Sequence, residues 1–155
     1  MKSLAPPLRL VLLKVDGQTY ALHLEAVDRV LRMAAITPLP GAPDVVEGVI
    51  NMQGEVLAIV SIRRRLGLPQ RSVAVADSLV VAHAGRRRIA IIAESVLGVA
   101  ECAAGAVVGC DDIGRGIRHI EGVVKTSDGL VLIQDLERFF SAEEEQSLDL
   151  ALEGV

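Results

Sequence analysis

The sequence contains no tryptophan, one tyrosine and two phenylalanines, and only two cysteines among 155 residues. So few aromatic rings leave no stacking platform of the kind that holds single-stranded nucleic acid, and a net charge of −4 works against a phosphate-neutralising face. The basic clusters Arg63 to Arg65 and Arg86 to Arg88 stand at the ends of apolar strands and read as solvated charges. Two thiols in a chain without an export signal are expected to stay reduced, so Cys102 and Cys110 point to the cytoplasm rather than to a disulfide scaffold. Long apolar runs are also missing, and MKSLAPPLRLVLLKV ends at Lys14 without a cleavage pattern of small residues. A cytoplasmic protein is expected, with no nucleic-acid partner and no direct membrane insertion.

Short apolar strands are abundant. Hydrophobic residues make up 51% of the chain and charged residues 23%, a balance that favours a packed globular domain over disorder. The segments LVLLKVDGQTYALHLEAVDRV, from residue 10, and LVVAHAGRRRIAIIAESVLGV, from residue 79, follow the same order of strand, turn, strand and bent segment. At an offset of 69, Leu10, Ala21, Leu22, Glu25, Val27 and Val30 meet Leu79, Ala90, Ile91, Glu94, Val96 and Val99. At an offset of 74, Glu47-Gly48-Val49-Ile50 meets Glu121-Gly122-Val123-Val124, and Ile59, Ile62 and Arg64 meet Ile133, Leu136 and Arg138.

Units of this size, made mostly of short strands, bury their edges most easily as closed barrels. The expected class is mainly β: two small five-stranded SH3-like barrels packed together, with short helices and a C-terminal helix. A first barrel is expected over 8–68, a second over 73–140 and the helix over 141–152, all within one domain of 1–155. The α/β class is the alternative, but it requires long helices between strands. Ser141 and Glu144 have capping-box spacing, Glu143 to Glu145 suit a helix N-terminus, and Leu148, Ala151 and Leu152 share a face that would cover a barrel end.

Chemistry is sparse in this pattern. Cys110 and His119 could form a thiol–imidazole pair, but no glycine-rich elbow presents the thiol, and a small hydrophobic role suits the cysteine better. His23, His83 and His119 are isolated, so no metal site or cofactor is expected, and His23 and His83 read as hydrogen-bonded residues on the wetter face of their strands. The glycines between Gly114 and Gly122 lack the lysine and hydroxyl spacing of a phosphate loop. The hairpin GVINMQGEVLAIVSI, Gly48 to Ile62, turns at Gln53-Gly54 and carries a polar tip of Asn51, Gln53 and Glu55.

The stretch TPLPGAPDVVEGVINMQGEVLAIVSIRRRLGLP, Thr37 to Pro69, resembles the CheW family of bacterial chemotaxis adaptors, and the likeness extends over about residues 8 to 145 through DGQTYALHLEAVDRVL. A proline-rich loop, Gly-Val, an Asn-x-x-Gly turn, an apolar strand and an Arg-x-x-Leu-Gly helix occur there in the family's order. The resemblance implies two packed five-stranded barrels and a non-catalytic adaptor that joins the cytoplasmic tip of a methyl-accepting chemoreceptor to the regulatory domain of a CheA-type histidine kinase. The family's receptor-facing groove corresponds to Leu24, Val27, Arg29, Glu47, Gly48 and Gln53.

Four positions depart from the family pattern. Arginine is usual where Gln53 stands, an acid at Arg29, proline at Ala58 and aspartate at Ser61. The reversal at Arg29 suggests a replacement ion pair with Glu55, which completes the expected partner-binding set. These departures also leave open a scaffold that keeps one partner, or one that serves a pilus-motility pathway. From other classes, a thiol enzyme using Cys110 and His119 and a small-ligand sensor with a pocket between the barrels remain as alternatives.

Overall fold

The computed structural model describes residues 6–109, 119–127 and 129–155. Four hairpins dominate it. The first joins β1 (Leu8–Val15) to β2 (Gln18–His23), and β3 (Val27–Arg32) follows a single 3-10 turn at Leu24–Ala26. The second joins β4 (Val46–Met52) to β5 (Glu55–Ser61) and runs into the short helix α1 (Ile62–Leu66). The third joins β6 (Ser78–Ala84) to β7 (Arg87–Ala93), followed by β8 (Ser95–Cys102) and β9 (Val108–Gly109). The fourth joins β10 (Ile120–Thr126) to β11 (Gly129–Gln134), and the chain continues to α2 (Ala142–Glu153).

The two-residue turns match strand twist in the expected way. Asp16 and Gly17 have φ of 53° and 75°, and Gln53 and Gly54 have 53° and 90°. Positive φ at both central residues is the geometry that fits a right-twisted hairpin. Gln53 therefore shares with Gly54 the left-handed backbone that glycine adopts most readily.

The strands pair in two sheets, ordered β8-β1-β2-β11-β10-β9 and β3-β6-β7-β5-β4. Each sheet draws on both halves of the chain, which corrects the expected contiguous barrels over 8–68 and 73–140. The copies have exchanged hairpins: β1–β2 joins β8 to β11, and β6–β7 joins β3 to β5. The duplication itself extends to register. Val27 opposite Ala82 recurs as Val96 opposite Leu13, each beside a bulge, and Ala58 opposite Ile89 recurs as Leu132 opposite Tyr20. Sequence periodicity reports a strand and its face, whereas hairpin exchange is decided by non-local packing, which periodicity does not encode.

Both sheets close. Thr37 and Val49 exchange backbone hydrogen bonds of 2.9 and 2.8 Å, tying the chain beyond β3 to β4. The equivalent closure is β9 against β10, with Val108 opposite Val123. Gly48 and Gly122 permit these approaches. A Cβ on Gly48 would stand 2.6 Å from Ile36 Cγ2 and closer still to the Thr37 carbonyl oxygen; one on Gly122 would stand 2.7 Å from both Val107 Cγ1 and the Val108 carbonyl oxygen.

Three apolar clusters result. Ile50, Leu57, Ile59, Leu79, Val81 and Ala90 fill one barrel, and Leu10, Ala21, Val124, Val131 and Ile133 fill the other. The largest cluster lies between the barrels and takes residues from both, including Leu13, Leu22, Val60, Val80, Ile91 and Phe139. Leu148 of α2 is fully buried in it, so the C-terminal helix packs on the inter-barrel core. The expected capping box is present: Glu144 N–H donates to Ser141 Oγ at 3.1 Å, and Ser141 N–H donates to Glu144 Oε1 at 2.9 Å.

Candidate functional site

Register places the seven expected site residues at two ends of one barrel. Leu24, Val27, Arg29, Gln53 and Glu55 lie toward the end where β3 and β5 begin and β4 finishes. Glu47 and Gly48 lie at the start of β4, and six residues of extended chain separate Glu47 from Gln53, about 20 Å. Leu24 and Val27 are half-buried against the inter-barrel core, so they form an apolar margin at the seam. Glu47 accepts a 2.8 Å hydrogen bond from Arg64 Nε and belongs to the base of α1.

The expected Arg29–Glu55 pair does not form. Their strands are separated in the sheet by β6 and β7, and Arg88 on β7 takes both Glu55 and Asp28. Arg29 instead contacts its neighbour Asp28, with Nε 3.8 Å from Oδ2. The two residues are thus joined indirectly, through an alternating row of Arg29, Asp28, Arg88 and Glu55. Strand order made Arg88 the closer cation, and only the spacing of His83 opposite Arg88 in the hairpin hinted at its position.

Gln53 is exposed at the turn, and Asn51 Oδ1 accepts a 2.8 Å hydrogen bond from Gly54 N–H. Asn51 is therefore a turn residue, while Gln53 Oε1 and Nε2 face outward from the hairpin tip. Ser61, where the family pattern has aspartate, still caps α1: its Oγ accepts from Arg64 N–H at 3.2 Å. Ala58 is buried in the inter-barrel core.

Of the arginines read as solvated charges, Arg86 is exposed, whereas Arg63, Arg64, Arg65, Arg87 and Arg88 are paired with carboxylates. Arg63 reaches Asp16 at 3.0 Å, the Pro69 carbonyl at 2.7 Å, and Glu94. The Asp16 N–H also donates to Glu94 at 2.8 Å, and with Arg63 it holds that carboxyl below the usual range against the opposing effect of burial. Arg65 grips Glu144 with two 2.7 Å bonds, and Arg87 pairs with Glu145 and Asp149 of α2. Their pairing binds the barrels and α2 to one another, which adds to the case against a phosphate-binding role.

His23 contacts both carboxylate oxygens of Glu121 at 3.0 and 2.9 Å, as expected of a hydrogen-bonded strand histidine; His83 is exposed. Among the described residues, no group of three His, Cys, Asp or Glu side chains is placed to hold a metal ion. Cys102 is half-buried against the core of its barrel, and desolvation pushes its thiol pKa up, away from nucleophilic reactivity. Cys110, the thiol of the expected pair with His119, lies outside the described residues, as do Asp111, Asp112 and the glycines Gly114 and Gly116.

Two exchanged β-barrels, locked by ion pairs and carrying an apolar seam margin beside a charged row, define a scaffold of the double-barrel class. The chain belongs to the CheW family: the family model described as CheW-like domain matches residues 9–144. A chemotaxis protein CheW of Thermotoga maritima is 26% identical over 141 residues, covering 89% of this chain and 93% of that one. Another, from Treponema pallidum, is 23% identical over 146 residues, covering 90% and 86%. The crystal structure of the scaffolding protein TtCheW from Thermoanaerobacter tengcongensis superposes with a TM-score of 0.81 at 21% identity, covering 90% of this chain and 96% of that one. The family is one of chemotaxis scaffolds, and the protein is not an enzyme. No helix among the described residues is long and apolar enough to cross a membrane.

Proposed function

We propose that this protein is a cytoplasmic adaptor that couples the tip of a methyl-accepting chemoreceptor to the regulatory domain of a CheA-type histidine kinase. The observation that carries the reading is the CheW-like match over residues 9–144, joined to a seam margin of half-buried Leu24 and Val27 flanked by Arg29, Asp28, Arg88 and Glu55. An apolar strip with a charged rim suits an amphipathic receptor helix. Gln53, at the same barrel end, would read that helix through neutral hydrogen bonds where the family's usual arginine offers a charged fork. Glu47 and Gly48, at the other end of β4, serve the closure of the barrel and the base of α1 in this reading.

The test is calorimetric titration of the full chain, separately, with a CheA regulatory domain and with a receptor-tip fragment from the same cell. Binding to both is expected. Val27→Asp should abolish receptor binding while the circular dichroism spectrum and kinase binding persist, and Gln53→Arg should tighten binding to an ordinary receptor tip. Retained receptor binding in the Val27 variant would remove the seam from the interface. Kinase binding without receptor binding would favour a scaffold that keeps one partner.

A further inference from the structure

The internal duplication offers a comparison within the molecule. Glu94 and Arg63 correspond to Glu25 and Glu137 at offsets of 69 and 74, and Asp16 corresponds to Gly85. On one side of the molecule, the Arg63 guanidinium lies between Asp16 and Glu94. On the other, the same place holds two carboxylates. Glu25 and Glu137 both line a cleft of about 460 Å³, with His23, His83, Glu121 and Gln134 also in its wall. The local backbone is otherwise matched: Asp135 caps the 3-10 turn at Leu136–Arg138 as Ser61 caps α1.

Gln134 supplies an independent sign of a ligand. It is 1% exposed, and neither its Nε2 nor its Oε1 finds a hydrogen-bond partner among the described residues. A buried amide with both functions unmet is costly and is normally matched by a donor and an acceptor. Its strand neighbours Val131 and Ile133 point into the barrel core, so alternation turns Gln134 the other way, toward the seam where the cleft lies. The cleft is in the size range of small-ligand sites, and among the described residues its wall carries Glu25, Glu121, Asp135 and Glu137 and no arginine or lysine.

We infer that this cleft binds a small organic cation that also carries an amide-like donor–acceptor edge: the cationic head lies between Glu25 and Glu137, where Arg63 lies in the other copy, and the amide edge pairs with Gln134. A guanidinium or ammonium head meets the carboxylates by charge-assisted hydrogen bonds. Gln134 selects the second group, because a purely cationic ligand would leave its Nε2 unmet.

Argininamide acetylated at its α-nitrogen is a suitable probe, with citrullinamide acetylated in the same way as its neutral counterpart, so that the guanidinium is the only charge in the pair. Titration of the isotope-labelled full chain should give saturable shifts in the Gln134 side-chain amide and in the backbone of Glu25 and Glu137, with citrullinamide at least about tenfold weaker, a difference of about 1.4 kcal/mol. Gln134→Met should weaken argininamide about tenfold or more, by removing the paired amide. Glu137→Arg should abolish binding by supplying the built-in cation of the other copy; Glu137→Gln, which changes only charge, serves if that variant does not fold. Equal affinity for both probes, equal binding by the Glu137 variants, or resonances of Gln134 that stay unmoved would overturn the inference.

Discussion

Arg65 and Glu144 offer the sharpest test of how α2 is held. Glu144 does two jobs: it completes the capping box with Ser141 and accepts one hydrogen bond of 2.7 Å from each terminal nitrogen of Arg65. Glu144→Gln keeps an acceptor for Ser141 and removes only the charge, whereas Arg65→Met removes the guanidinium, its 2.7 Å bond to the Phe139 carbonyl and its position 5.7 Å over the Phe139 ring. A double-mutant cycle subtracts these side effects. The side chains are 19% and 22% exposed, too sheltered for the near-zero worth of surface pairs, so a coupling of about 1.5–3 kcal/mol is expected. With a urea m-value of about 2 kcal/mol per M, a coupling of about 2 kcal/mol appears as roughly 1 M of non-additive midpoint shift. The Arg65 bonds hold the Glu144 carboxyl below its ordinary range, against partial burial. A depressed folded-state pKa means that the coupling is complete above the unfolded value of about 4.3 and is lost as pH falls through the lower folded value. Coupling below about 0.5 kcal/mol at neutral pH, or coupling that persists after the carboxyl protonates, would refute the reasoning.

Other perturbations address the barrels. Gly48→Ala and Gly122→Ala should each destabilise by about 1–3 kcal/mol in urea titrations, because both press a methyl group into a backbone closure; a cost under about 0.5 kcal/mol would show that the closures yield easily. Gln53→Asn should raise stability by about 0.5–1 kcal/mol, since asparagine tolerates the positive φ that glutamine adopts there, and a loss of stability would contradict the turn geometry. Cleavage in the link between residues 67 and 72 should leave two halves that do not fold alone and that regain a β-sheet spectrum when mixed, because each barrel needs strands from both. A half that folds alone would refute the hairpin exchange.

The fold class was legible because short runs of Val, Ile and Leu separated by Asp-Gly, Gln-Gly and Gly-Arg turns leave few alternatives to small closed sheets. The duplication was legible because Glu25 and Glu94 and the pairs Gly48–Val49 and Gly122–Val123 keep their spacing where aliphatic drift would hide the rest. Hairpin exchange was not legible. The faces of β1 and β6 carry near-equivalent burial patterns, so the pattern along either strand does not say which copy its hairpin joins, and the choice is left to non-local packing. The capping box of α2 was local and therefore visible, while its docking by Arg65 and Arg87 depended on residues 79 and 58 positions away.

Charge partners follow the same logic, and the Arg29–Glu55 expectation shows why it failed. Complementary signs in a sequence fix only that a pair can exist; which pair forms depends on which strand lies between. Arg88 intervenes because β7 runs parallel to β5, with Ile89 beside Ala58, and so brings its first residues to the level of Glu55. Once Arg88 bridges Glu55 and Asp28, the Arg29 guanidinium is left, among the described residues, with a 3.8 Å contact to Asp28, at about half exposure. A loosely held cation at the rim of an apolar seam contributes little to the fold, because exposed pairs are worth about 1 kcal/mol or less. Removing it is therefore expected to leave stability nearly unchanged, and in the interface proposed above its effect would fall on the affinity for an acidic partner.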